Sequence, residues 1–137
     1  MSNAGGRVGE SDLGTRLLIA DNPDEAAGLA LRMDELNTHR RSLGDENLSL
    51  AEKMIEDIIS HRNGLPPYIL LSHREFHAGV IGIVAGRLKD KYNRPTFVIA
   101  LEEDGSGKGS ARSIKSVDIG QLVAGAVQQD VLKAGGG

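Results

Sequence analysis

The chain has 137 residues with no Cys and no Trp, so disulfides and Cys-ligated zinc are excluded. It contains no apolar run of membrane-spanning length and no signal h-region, and a cytoplasmic, non-membrane protein is expected. The net charge of −3 is unevenly spread: residues 1–64 carry 7 Lys/Arg against 12 Asp/Glu, and residues 65–137 carry 9 against 7. A nucleic-acid site would therefore be a local patch in the second half. With Tyr68, Phe76, Tyr92 and Phe97 as the aromatic complement, it would grip phosphates more than it stacks bases.

In chain order, residues 1–9 are too glycine-rich for an element interior, and Met1-Ser2-Asn3-Ala4 reads as a vector-derived start. Leu13, Leu17 and Leu18 predict a short helix from Ser11 to about Ala20. Asp21-Asn22-Pro23-Asp24-Glu25 is a helix start: a polar cap, proline in the first turn, and acids at the positive end. Helical spacing then runs almost to His61. Ala26, Leu29, Met33, Leu36, Leu43, Leu50 and Met54 follow a three-four alternation that also carries Arg40 and Asn47. A single long helix fits, with Gly44 the place for a break. An apolar stripe with polar gaps predicts a helix bridging two bodies. A coiled-coil dimer has too few clean heptads behind it.

Asn63-Gly64-Leu65-Pro66-Pro67 marks a boundary, so residues 10–64 form a helical connector and 65–137 a separate domain. Tyr68 to Ser72 predicts a buried strand. Phe76 to Leu88 reads as a turn running into a helix, with Val80, Ile81, Val84 and Leu88 on one apolar face. Gly79, Gly82 and Gly86 fall on another face, at about 1 kcal/mol each against Ala, which implies that a backbone or ligand passes close. His77 sits before the helix start, where free N–H groups favour an anion. The plainer alternative is a core helix with a capping histidine. Thr96 to Leu101 is a second strand and Glu102 to Gly105 a turn. Gly107 to Ser113 is a third strand antiparallel to the second, and Asp118 starts a last helix carrying Ile119, Leu122, Val123, Ala126 and Val127. The order β-α-β-β-α behind a long helix predicts a small α/β domain with a mixed sheet.

Lys108, Ser110 and Arg112 alternate onto one face of the third strand, an ammonium, a hydroxyl and a guanidinium suited to phosphate. The alternative is a solvated strand face beside a glycine turn. The stretch is not a P-loop, because Lys108 is followed by Gly109 and the glycine spacing is missing. His73-Arg74-Glu75-Phe76-His77 lacks either zincin arrangement, and His39 and His61 have no carboxylate cluster beside them. The chain reads as able to bind but not to catalyse.

Phe76-His77-Ala78-Gly79-Val80-Ile81-Gly82-Ile83-Val84-Ala85-Gly86-Arg87-Leu88, then Tyr92-Asn93-Arg94-Pro95-Thr96-Phe97-Val98-Ile99, then Lys108-Gly109-Ser110-Ala111-Arg112-Ser113 resembles the RecJ-type single-strand-specific DNA exonucleases of the DHH phosphoesterase superfamily. The matching region is their DHH-associated C-terminal domain. Asn3 to Val8, with Arg7, is similar to the segment that closes the family's catalytic domain, and the helix to Ser60 to the one joining the two domains. Phe76 stands where the family often has Trp. The Asp-His-His motif is absent, and the glycine loop that continues to a histidine in the family stops at Gly137.

The resemblance implies the substrate-binding part of a 5′ exonuclease of DNA repair and recombination. Single-stranded DNA and an N-terminal catalytic domain would be its partners. Mn or Mg is expected in that catalytic domain, with no cofactor in this part. Arg112 is expected to be the main phosphate contact, helped by Lys108, Ser110 and His77, with Ser113, Gly79 and Arg7 completing the set. Self-association through an exposed long helix is a further expectation. The alternatives are a DHH phosphoesterase for short oligonucleotides or cyclic dinucleotides, and a stand-alone nucleic-acid-binding module.

Overall fold

The computed structural model describes residues 12–136. Two helices come first, α1 (Leu13–Ile19) and α2 (Pro23–Arg62). The Asn22 side chain accepts from Asp24 N–H at 2.8 Å, and Pro23 occupies the first turn, so the start of α2 is where the cap chemistry puts it. The helix ends at Asn63, whose φ of 58° is the left-handed turn that stops a helix. It runs 40 residues through Gly44 without the break that glycine suggested.

The buried side of α2 is not quite the expected stripe. Leu29 and Met33 are buried as anticipated, but Asn37, Gly44, Asn47, Ala51 and Ile55 follow, and Leu36, Leu43, Leu50 and Met54 sit half-buried at its flank. A strict seven-residue repeat drifts by roughly 20° per heptad on a helix of 3.6 residues per turn, so the contact line moves one residue along. Nor is the stripe left open. Leu13 and Leu17 of α1 pack on Leu29, Met33 and Leu36, while Ala51 and Ile55 enter the main core. The large apolar side chains left outside at this end are Leu18, Ile19 and Leu31.

Beyond Pro66-Pro67 the chain builds β1 (Ile69–His73), α3 (Ile81–Tyr92), β2 (Thr96–Leu101), β3 (Gly107–Arg112) and α4 (Ile119–Gln128). The sheet order is β1-β2-β3, β1 parallel and β3 antiparallel to β2. This is the expected mixed sheet. The β1-α3-β2 crossover lays α3 across β2 and β3, and α2 packs against α3 and the β1 side. Ile69, Leu71, Val98 and Ala100 meet Ile81, Val84, Ala85 and Leu88, none of them more than 3% exposed.

Between the two long helices, Arg87 pairs with Asp45 and Lys91 with Glu52, each at 2.7 Å. The hydrogen bond to Glu52 holds the Lys91 pKa above its ordinary value. In α4, Asp118 caps by accepting from Gln121 N–H, and Ile119 alone is buried while Leu122 stays 58% exposed. No described helix is long and apolar enough to cross a membrane.

Candidate nucleic-acid interface

Alternation along β3 decides which side chains meet α3. Thr96 pairs with Arg112, Val98 with Ser110 and Ala100 with Lys108, and cross-strand partners share a face. Thr96, Val98 and Ala100 are buried on the α3 side, so Lys108, Ser110 and Arg112 line that same side at the edge of the sheet. The register that decides whether Arg112 faces the helix is the productive one.

The glycine face of α3 is what they meet. A methyl group at Gly82 would lie 3.0 Å from Arg112 Nη2 and 3.2 Å from Ser110 Oγ. At Gly86 nothing lies within 4 Å, so close approach is confined to the first turn of α3. Arg112 Nη1 donates to Ser110 Oγ at 3.2 Å and to the Ala111 carbonyl at 2.8 Å. Those two bonds steer the guanidinium without neutralising it, since no carboxylate pairs with it among the described residues. Lys108 extends into solvent, its nearest carboxylate being Glu102 at 3.8 Å. A guanidinium, a hydroxyl and an ammonium thus line one edge, the first two against Gly82, a donor set that fits a phosphodiester.

His77 lies four residues before α3, in the loop that enters it. Three of the amides there are already occupied within the loop. Val80 and Ile81 N–H both donate to the His77 carbonyl, at 2.9 and 3.2 Å. Gly79 N–H donates to His77 Nδ1 at 3.1 Å, and His77 N–H to Asn47 Oδ1 at 2.7 Å. Val80 occupies the cap position and provides no side-chain cap. No hydrogen bond or ion pair among the described residues joins His77 to Lys108, Ser110 or Arg112.

Ser113 belongs elsewhere. Its hydroxyl turns to the carbonyls of Ile114, at 3.0 Å, and Val117. It lines a separate hollow of about 440 Å³ at the C-terminal end of α3, with Lys89, Asp90, Asn93, Lys115 and Ser116. Arg7 lies outside the described residues. Gly82 was expected from sequence as part of a glycine face with a close neighbour, and the close approach is found there. Asn47 as the partner of the His77 loop was not singled out, although an amide on an otherwise apolar seam was its signal.

Among the described residues no three His, Asp or Glu side chains gather around a point that could hold a metal ion. They do not fit the pair of divalent ions that RecJ-type hydrolysis implies, so no step of the chemistry is assigned to them.

Comparison with known proteins adds a family. Residues 65–137 match the DHHA1 domain. The single-stranded-DNA-specific exonuclease RecJ of Escherichia coli K12 is 39% identical over 119 residues, covering 84% of this chain and 20% of the relative. RecJ of Haemophilus influenzae Rd is 35% identical over 137 residues, 98% of this chain and 24% of the relative. The crystal structure of RecJ from Thermus thermophilus in complex with Mn2+ superposes with a TM-score of 0.79 at 31% identity, covering 98% of this chain and 19% of that one. The chain therefore spans about a fifth of the length of the curated relatives it matches.

Proposed function

Because this chain belongs to the DHHA1 domain family, we propose that it is the substrate-holding part of a RecJ-like, single-stranded-DNA-specific 5′ exonuclease of DNA repair and recombination. The observation that carries the reading is the contact between two separate segments. The Lys108–Ser110–Arg112 edge packs on the first turn of α3 at Gly82 and sets a row of side-chain donors along the rim of the sheet. A single strand laid along this edge presents phosphates to Arg112, Ser110 and Lys108, with His77 at the entry to α3 adding a further donor. The ions and carboxylates that cleave the strand belong, on this reading, to a catalytic domain outside the chain, where Mn or Mg would activate water. The linking helix α2 would set the distance between grip and cleavage, and Leu18, Ile19 and Leu31 offer apolar contacts to that domain or to a second copy of the chain. The setting is cytoplasmic.

Two measurements on the 137-residue chain test this. Fluorescence anisotropy with a labelled single-stranded oligonucleotide should show saturable binding that a dinucleotide or blunt duplex competes for poorly. The same oligonucleotide incubated with the chain and Mn2+ should remain intact. Absence of binding at low salt, or equal competition by the dinucleotide, would overturn the assignment to a single strand. Degradation that survives repurification would overturn the division of labour.

A further inference from the structure

Asn47 stands out because it is a polar side chain in an apolar seam. It is 5% exposed, between Gly44 and Ala51 on the covered side of α2. A buried amide is retained at a cost unless its donors and acceptor are used. Here they are used on the backbone of a segment about thirty residues away. Asn47 Oδ1 accepts from His77 N–H at 2.7 Å, and Asn47 Nδ2 donates to the Glu75 carbonyl at 3.4 Å. One carboxamide thus clasps Phe76 from both sides, and Phe76 is driven into the core beside Ala51 with 4% of its surface exposed. The clasp is specific to this loop, since no other buried side chain among the described residues reaches it by a hydrogen bond.

The clasp sets the orientation of the histidine beside it. With its N–H anchored, His77 turns its ring so that Nδ1 accepts from Gly79 N–H at 3.1 Å. An imidazole whose Nδ1 accepts must, when neutral, carry its proton on Nε2. The exposed side of the ring then shows a hydrogen-bond donor, which is what a phosphate oxygen, an acceptor only, can use.

We propose that Asn47 is a positioning residue for substrate: from the linking helix it fixes the β1–α3 loop so that His77 presents Nε2–H to a phosphate of the bound strand. The role rests on the strand-holding function proposed above. A shift of α2 at Asn47 would therefore displace the His77 backbone.

The test uses the 137-residue chain. Nitrogen-15 NMR of the histidine ring reads the tautomer, and anisotropy reads oligonucleotide affinity. The wild type should show His77 as the Nε2–H form. Asn47→Ala should turn it into an exchanging mixture and weaken binding about fivefold, the size of one ordinary hydrogen bond. His77→Ala should weaken binding by a similar factor. The double variant should be no worse than His77→Ala alone, since Asn47 acts through the ring. Asn47→Asp keeps the acceptor for His77 N–H and should retain the wild-type ring signature; it also stands in if the alanine variant fails to fold. An unchanged His77 tautomer in Asn47→Ala, or losses that multiply in the double variant, would overturn the proposal. A wild-type chain that binds no oligonucleotide would sink the strand-holding function, while the ring spectra of wild type and variants would still decide whether Asn47 sets the His77 donor.

Discussion

The same covered face of the sheet does two different jobs at its two ends. Under α2 and α3, β1 and β2 contribute Ile69, Leu71, Val98 and Ala100, all buried, against Val84, Ala85 and Leu88. One strand further out, β3 contributes Lys108, Ser110 and Arg112 to that same face and puts Gly107, Gly109 and Ala111 on the other. An ordinary edge strand would point its apolar residues at the helix and its charges at solvent. β3 inverts this, so the helix covering it meets donors instead of methyl groups and needs a bare turn at Gly82 to admit them. On the reverse side, packing demands a small residue at Gly107 but not at Gly109, where a methyl group would make ordinary contact. A methyl group at Gly107 would come within 2.9 Å of Ile99 Cγ2. The contrast separates stability from function: the first should reside in β1, β2 and the apolar side of α3, the second in β3 and the glycine turn.

Breaking the core end should have the largest effect. Leu88→Ala removes a fully buried side chain and should cost about 2–5 kcal/mol of stability. Measured by thermal or urea unfolding, it should lower the midpoint markedly. Oligonucleotide affinity, measured where the variant is still folded, should stay near wild type. A loss of affinity at full folding would mean that the two ends are not separable.

The β3 end should respond in the opposite sense. Gly82→Ala replaces a helix glycine and should leave stability unchanged or raise it by up to about 1 kcal/mol. The added methyl group pushes on Arg112 Nη2 and Ser110 Oγ, which lie 3.0 and 3.2 Å away, and affinity should fall by about threefold. Gly86→Ala, with open space at its Cβ, is the matched control and should leave affinity alone. Equal effects at the two positions would remove Gly82 from the site.

Sequence reasoning reached most of this architecture because the signals are local. Asn22-Pro23 starts α2, Asn63 ends it, and Asp118 caps α4, each through chemistry within three or four residues. The mixed sheet followed from the strand order and the turn at Glu102–Gly105. What escaped depends on contacts far apart in sequence. The drift of the α2 seam from Leu36, Leu43 and Leu50 to Asn37, Gly44 and Ala51 emerges only when a partner surface selects among neighbouring registers. The covering of the stripe by Leu13 and Leu17 depends on how α1 folds back. Asn47 was visible only as a polar gap, because the backbone groups it satisfies belong to Glu75 and His77. Ser113 was expected in the phosphate-binding set, but one residue past the strand its hydroxyl turns to Ile114 and Val117.

The central claim is that Arg112, steered by Ser110 over Gly82, grips a phosphate with its planar fork. It is tested most directly by single-strand affinity as a function of salt for wild type, Arg112→Lys and Arg112→Ala in this chain. Lysine keeps the charge but cannot make two parallel hydrogen bonds to one phosphate. Arg112→Lys should therefore bind more weakly than wild type with nearly the same salt slope. Arg112→Ala should bind more weakly still, with the slope shallower by about 0.7, the value of one phosphate contact on a single strand. All three should unfold at similar temperatures, because an exposed side chain at a strand end contributes little to stability. Equal affinities and equal slopes across the three proteins would contradict the account and leave the polar edge of β3 as solvated surface.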